Sequence, residues 1–376
     1  MKTIKHIITK EFLQFKRDPK MFAIILVAPV IQLIFLGYAV NMDVNTVTTV
    51  IFDQDRSPRS RELIERFGAS GYFEFVDYVS SYDKLQEYID AGDAMLGIVI
   101  PYDFEESIGK GVTANLQTII DASDGNKASI TMGYVQQIAA SYSGKLIADM
   151  MNKRGIKRQL SGAVEAELRA WYNPELKTRV YMVPGIVGLL LSIITLVLTS
   201  LAIVKEKEVG TLEQIIVTPI KPIQLLIGKL VPFAILGFVV IAVVLAAMAV
   251  VFGIVVQGSI VFLFFSSFIY ILSTLGLGLF VSTISKTQQQ AMMLAMFLVL
   301  MPMIFLSGFA FPIVNMPPII QGLTYLVPLR YFMTIIRGVI IKGVGLAELW
   351  PQVVILAIFG ILIMTLSAKR FQKRLD

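Results

Sequence analysis

Carboxylates are the first candidates for chemistry in this sequence. Asp53 and Asp55, in DQDRSPRSRE at 53–62, stand close enough to share a metal ion or to act as a carboxylate pair. No further ligand cluster accompanies them, and their spacing also suits a strand end followed by a capped helix. Asp121 and Asp124 end another strand in the same way. Metal chemistry has little else to draw on, since the chain holds one histidine, His6, and no cysteine. That excludes disulfides and thiolate sites and argues against histidine-based catalysis. No GxxxxGK[ST] phosphate loop occurs, and no convincing nucleophile–base pair is found. The sequence therefore points to no catalytic residue and no metal site.

A mechanical site is better supported. KEKEVGTLEQIIVTPIKPIQLLIGK at 205–229 joins two long apolar runs. Leu212, Ile215 and Ile216 form an apolar patch at helical spacing, with Glu206, Glu208 and Glu213 around it. Pro219 and Pro222 then end the helix and turn the chain back. Such a short amphipathic helix can dock into a groove on a soluble partner. The alternative is a turn that touches only lipid headgroups. Its acids count against that, because the cytoplasmic leaflet is itself negative.

The elements that must hold this loop are membrane spans. Apolar residues make up 56% of the chain and charged residues 16%, against about a quarter charged in soluble domains. Mean hydropathy is +0.73. Apolar runs at 21–40, 181–204, 228–254, 260–284, 289–311 and 350–368 are long enough to cross a bilayer. The first is too long for a signal-peptide core and lacks a small-residue cleavage pattern, so it reads as a retained span. Six spans put both termini and the 205–229 loop, all rich in Lys and Arg, on the cytoplasmic side. The net charge of +6 is then a membrane-flank signal rather than a nucleic-acid one.

Residues 1–20 read as a basic amphipathic helix at the interface, or as a plain positive-inside anchor. Ile4, Ile7, Ile8, Phe12 and Phe15 share one face. Residues 41–178 change character. Strands are predicted at 46–53, 72–79, 95–101, 115–121 and 164–173, with helices from Ser57, Tyr82, Phe104 and about Asn126. This alternation predicts an α/β domain outside the membrane, inserted between the first two spans.

Ionisable residues are nearly absent from the spans. This disfavours proton-coupled transport and suits a hydrophobic or amphipathic substrate. Met292, Met293, Met296, Met301 and Met303, with Phe297 and Phe305, are soft candidates for lining a path, unless they face lipid or a partner protomer. Pro302 is expected to kink its helix. The stretch 312–349 is apolar but broken by Pro312, Pro317, Pro318 and Pro328. It reads as an outer re-entrant segment, the alternative being two more spans. Arg330 and Arg337 within it either fix the turn through carbonyls or meet headgroups, and Tyr325 and Tyr331 suit an aromatic belt.

Four stretches in order resemble ABC-2-type permeases, the membrane subunits of ATP-driven exporters: WYNPEL…YMVPGIVG (171–188), KEKEVGTLEQIIVTPI (205–220), ISKTQQQAMML (284–294) and LSGFAFPIVNMPPIIQGLTYLVPLRYF…IRG…KG (306–343). The large domain after the first span is similar to the drug- and antibiotic-exporter branch. The resemblance implies a type V ABC exporter-like fold, integral and α-helical, with six transmembrane helices and an α/β extracytoplasmic domain. It implies an interfacial helix at 1–20, a first span at 21–40, the outer domain at 41–178, and spans two to six within 179–376, with a coupling helix at 205–221. It carries ATPase contact to Glu206, Lys207, Glu208, Gly210, Thr211 and Glu213. On residue chemistry alone, Met292, Met296, Pro302 and Phe305 are the candidates for the path, unless they face lipid or a partner protomer, and Pro312, Pro317, Arg330 and Arg337 belong to the outer re-entrant segment. No cofactor is expected on this chain, with ATP and Mg bound by two copies of a separate ATP-binding subunit. A second permease, identical or a paralogue, membrane lipids and a periplasmic adaptor are the other implied partners. The expected place is a bacterial inner membrane. A membrane-anchored receptor, and a sodium exporter of the same family, are the competing readings.

Overall fold

The computed structural model describes residues 2–40, 46–153, 171–173, 177–210 and 222–372. Its contacts divide the chain into a helical unit, Met1–Asn41 with Arg169–Asp376, and an inserted unit, Met42–Leu168. Most of the strand expected at 164–173, the loop residues 211–221 and Lys373 and Arg374 lie outside the described residues.

Two helices open the helical unit. α1 (Lys2–Arg17) stops at Asp18, and α2 (Pro19–Ala39) follows at once, because proline suits the first turn of a helix but not the interior of one. Ile4, Ile7, Ile8 and Phe15 lie on the packed face of α1, and so does Glu11, which is buried among them.

The inserted unit is a four-stranded sheet in the order β2-β1-β3-β4. β1 (Val47–Asp53) pairs in parallel with β2 (Phe73–Tyr78) and β3 (Leu96–Ile100), and β4 (Gln117–Ile120) lies antiparallel to β3. Helices α3 (Pro58–Ala69), α4 (Tyr82–Asp90), α5 (Phe104–Lys110) and α6 (Gly125–Lys153) cover it. Val47 and Ile51 pack with Leu63, Phe67 and Val135 on one face, and Val50 and Phe52 with Leu85 on the other. Both faces are covered, so β3 reads as an unbroken apolar run with no alternation. Ser57 caps α3 by accepting from Ser60 N at 3.1 Å, with Pro58 at the first helical position. Asp53 closes the preceding turn. Its Oδ1 accepts from the amides of Asp55 and Arg56, and its Oδ2 accepts from Ser60 Oγ at 2.7 Å. Asp121 likewise accepts from Ser123 N, at 2.9 Å.

The rest of the helical unit runs through α7 (Thr178–Glu208), α8 (Pro222–Phe252), α9 (Ile260–Ile284), α10 (Gln288–Leu294) and α11 (Met301–Leu306). A π-helical turn, Ala295–Leu300, joins α10 to α11. After a 3₁₀ turn come α12 (Pro318–Thr324), α13 (Pro328–Arg337), a second π turn, Gly338–Lys342, and α14 (Leu346–Gln372). Five helices are long and apolar enough to cross a membrane: α7, α8, α9, α10–α11 and α14. Ala23–Ala39 of α2 forms a shorter apolar helix, and α12 and α13 meet in an 82° bend.

Several boundaries differ from expectation; α7 runs from Thr178 to Glu208 where the sequence predicts 181–204. α8 begins at Pro222, so this proline opens a helix instead of closing one. The α10–α11 helix ends at Leu306, where Gly308 (φ +80°) breaks the run expected to reach 311. α14 begins at Leu346, ahead of residue 350, and ends the broken segment at 345.

Small and hydroxyl side chains hold the bundle. Thr195 and Thr274 share a hydrogen bond of 2.7 Å between α7 and α9, and Ser192 bonds Tyr270 one turn away. Ser367 Oγ of α14 donates to Gly276 O at 3.0 Å. A Cβ on Gly278 would meet Leu196 O at 2.7 Å, so α9 and α7 touch backbone to backbone.

Candidate functional site

The site begins where α7 runs out of apolar residues. Its last turn carries Glu206, Lys207 and Glu208, continuous with the apolar helix and not part of a separate surface helix. At about 46 Å, this helix outlasts a hydrocarbon core of about 30 Å, so its charged end clears the apolar layer.

Each of the three side chains is engaged within the chain. Lys229 Nζ lies 2.7 Å from Glu206 Oε1, and Lys10 Nζ lies 3.3 Å from the same oxygen. Glu11 Oε1 stands 3.7 Å from both lysines. Lys229 also donates to Ala202 O at 3.4 Å. The side chains of Lys229, Glu11 and Glu206 are 4%, 7% and 13% exposed, and Lys10 closes the group on the solvent side. Two cations and two anions thus neutralise each other, three of them shielded from water and Lys10 at its edge, tying α1 and α8 to the end of α7. Desolvation makes such a cluster costly to open by removing one member.

The neighbouring pair fixes the other side of the same turn. Lys207 Nζ donates to Ser282 O at 2.6 Å, at the C-terminal end of α9 where free carbonyls favour a cation. Glu208 Oε2 accepts from the amide of Gln288 at 3.2 Å and from its Nε2 at 2.8 Å, at the N-terminus of α10. Gly210 then turns the chain through φ +77°. Thr211 and Glu213 lie outside the described residues. The end of α7 is therefore a knot of four helices, α1, α8, α9 and α10, immediately before Gly210.

Packing beneath the knot explains the fit of α1. A Cβ on Gly228 would sit 2.7 Å from Ile7 Cγ2, so glycine is what lets α1 reach α8. Phe15 packs edge-on to Phe233 at 5.8 Å. A cleft of about 670 Å³ opens beside the cluster, with Gln14, Arg17 and Lys205 on its walls.

The expected path residues fall on one face. Met292, Met296 and Phe305 are about half exposed, as are Met293, Met301 and Phe297. Met303 is buried in the bundle and does not belong with them. Pro302 is the second residue past the π turn, where the helix has already left regular hydrogen bonding.

In the broken segment, Pro312 precedes the 3₁₀ turn and Pro317 precedes α12. Arg337 donates to Tyr181 O (3.2 Å), Tyr181 Oη (2.8 Å) and Gly308 O (3.0 Å), and its guanidinium lies 3.7 Å over the Tyr181 ring. Arg330 bonds Thr324 Oγ1 and stacks on Tyr325 at 3.8 Å. Tyr331 is buried, donating to Tyr325 O at 2.8 Å, so of the two tyrosines only Tyr325 is exposed.

The model of the ABC-2 family transporter protein matches residues 19–369. The chain belongs to that family. This ABC-2 permease is 34% identical over 358 residues to the "Probable multidrug ABC transporter permease YbhR" of Escherichia coli, covering 94% of this chain and 95% of that one. It is 31% identical over 377 residues to the "Probable multidrug ABC transporter permease YbhS", covering 99% and 97%. The "Inner membrane transport permease YhhJ" matches at 26% over 367 residues, covering 97% and 95%. Membership implies an ATP-binding partner and a second permease. It makes the chain a multi-pass membrane subunit and not an enzyme in its own right.

Sequence reasoning missed the buried cluster. Lys229 reads as one more flanking cation, and Glu11 passes unread. One signal was present: Glu11 sits one turn from both Ile7 and Phe15, inside the apolar stripe of α1.

Proposed function

We propose that this chain is the permease subunit of an ATP-driven exporter of a hydrophobic or amphipathic compound. With a second permease, identical or a paralogue, it encloses the path. Two copies of a separate ATPase subunit bind ATP and Mg. The six spans are α2, α7, α8, α9, α10–α11 and α14, with both termini cytoplasmic in a bacterial inner membrane. The α/β unit faces outside, where a periplasmic adaptor can meet it. Relatives named as multidrug permeases over nearly their whole length support the substrate class.

The observation that carries the coupling is the knot at the end of α7. Gly210, Thr211 and Glu213 contact the ATPase. Glu206, Lys207 and Glu208 pass its push into four helices through the bonds described above. α10 is one of them, and it bears the exposed face of Met292 and Met296, with Pro302 and Phe305 further along the same span. Arg330 and Arg337, framed by Pro312 and Pro317, keep the far end closed until that push arrives.

The test is ATP hydrolysis by the reconstituted permease–ATPase complex in the presence of amphipathic compounds. Stimulation is expected, and Glu213→Arg should abolish it. The reading fails if the purified chain forms no complex with any ATPase subunit and Glu213→Arg leaves export untouched.

A further inference from the structure

α8, α9 and α14 leave an apolar groove of about 380 Å³ between them. Every side chain that lines it is apolar. Ile223, Ile227 and Ile235 are half exposed along its rim, while Leu226, Leu275 and Leu279 form a buried floor. At one end stand Phe238 and Phe268, whose rings stack at 5.7 Å, with Phe264 stacked on Phe238 at 6.2 Å. At the other end Ala368 lines it, with Lys369 and Arg370 next in the chain. Arg370 lies 5.8 Å over the ring of Phe280, beside Leu279. The three helices carry one carboxylate, Glu348, and it lies at the start of α14, more than twenty residues from this end.

We infer that this groove holds one acyl chain of an anionic phospholipid, whose phosphate is met by Lys369 and Arg370. Length, polarity and charge all select this occupant. From Ile223 to Phe238 the helix rises about 22 Å, somewhat more than one leaflet of a bilayer whose core is about 30 Å thick. A flexible hydrocarbon chain fills an apolar slot of that length without leaving a polar group unpaired. The aromatic end suits a chain terminus, and the cationic end suits a phosphate. A docking protein helix would instead bring polar ends that this wholly apolar lining does not answer.

The site also adjoins the knot. Leu226 and Leu230 line the groove, while Lys229 on the same turns reaches Glu206. Ile7 of α1 packs on the cluster of Leu226, Leu279 and Phe371 beneath it. An acyl chain in the groove therefore braces the helix that carries Lys229.

The experiment uses the full-length chain in phosphatidylcholine nanodiscs containing a tenth of phosphatidylglycerol with a photoreactive acyl chain. Label is expected on groove peptides of α8, α9 and α14, several-fold above the exposed Ile358–Ile361 face of α14. Unlabelled phosphatidylglycerol should compete and phosphatidylcholine should not. Leu272→Trp, which fills the slot, should remove the groove label. Lys369→Gln and Arg370→Gln should each weaken the phosphatidylglycerol preference roughly fivefold while leaving packing intact. Label spread evenly over all lipid-facing helices overturns the proposal. So does a groove that cross-links to a second copy of the chain, or labelling that ignores the headgroup in the wild-type protein.

Discussion

Lys229 Nζ lies 2.7 Å from Glu206 Oε1, with both side chains largely shielded from water. Thirteen residues separate the end of α7 from the start of α8, yet this pair brings the two helices together at one point. Lys10 and Glu11 complete the neutral group from α1. Buried ion pairs seldom add much stability over an apolar replacement, but they penalise every arrangement that separates them. The cluster thus sets which way α1, α7 and α8 meet.

Lys229→Met should show this. It strands Glu206 and Glu11 with one solvent-side cation, and removing one partner of a buried pair costs about 3–5 kcal/mol. Thermal unfolding in detergent measures the loss. Lys229→Met with Glu206→Gln restores charge balance and should recover roughly half of it, a non-additivity expected of contacting residues. Equal losses in the single and double variants would mean that the cluster is not closed.

Gly228→Ala tests the packing under the cluster. Alanine gains about 1 kcal/mol of helix propensity over glycine. Here its Cβ would sit 2.7 Å from Ile7 Cγ2 and 2.8 Å from Ile7 Cβ, which a rotamer change cannot relieve. Overpacking of this kind costs about 1–3 kcal/mol, so the clash wins. Faster hydrogen exchange in α1, with little change in α9, is the expected result.

Much of the inserted unit was legible because its signals are local. Ser57-Pro58 states a helix start within two residues, and the apolar run Leu96–Ile100 can be little but a buried strand. The six apolar runs are legible for the same reason, since hydropathy needs no partner. Lys229 and Glu11 were not legible as a pair, because 218 positions separate them and each suits a surface on its own. The continuation of α7 through Glu208 was hidden by the charge that follows the apolar run. What stabilises that turn is Ser282 and Gln288, which no local reading connects to it.

Acid should loosen the inserted unit through Glu62. A hydrogen bond from Lys145 (2.6 Å), aided by one from Arg59 (2.9 Å), holds the Glu62 carboxyl below its ordinary range against the opposing cost of burial. A depressed folded value means that the unfolded chain takes up this proton first. The contribution is therefore complete at neutral pH and is lost as pH falls through the ordinary glutamate range to the depressed value. The pair is partly solvated, so the effect is below about 1 kcal/mol. Proteolysis of the unit between pH 6 and 3 should rise less steeply in Lys145→Met, which has less to lose.

Arg337 offers the sharpest test of the far end of the bundle. Its guanidinium makes three hydrogen bonds in two directions, to Tyr181 of α7 and to Gly308, while lying 3.7 Å over the Tyr181 ring. Gly185 leaves the space, since a Cβ there would stand 3.1 Å from Arg337 Nη2. Lysine keeps the charge but has neither the planar fork nor the stacking face. Arg337→Lys should therefore lose nearly as much as Arg337→Ala, about 1–3 kcal/mol for the unpaired carbonyls left behind. Thermal unfolding of both variants beside Tyr181→Phe measures it. Tyr181→Phe keeps the ring and the Tyr181 carbonyl and loses only the bond to Oη, so it should cost about 1 kcal/mol. If Arg337→Lys unfolds with wild-type stability, charge alone holds this corner and the fork has no structural role.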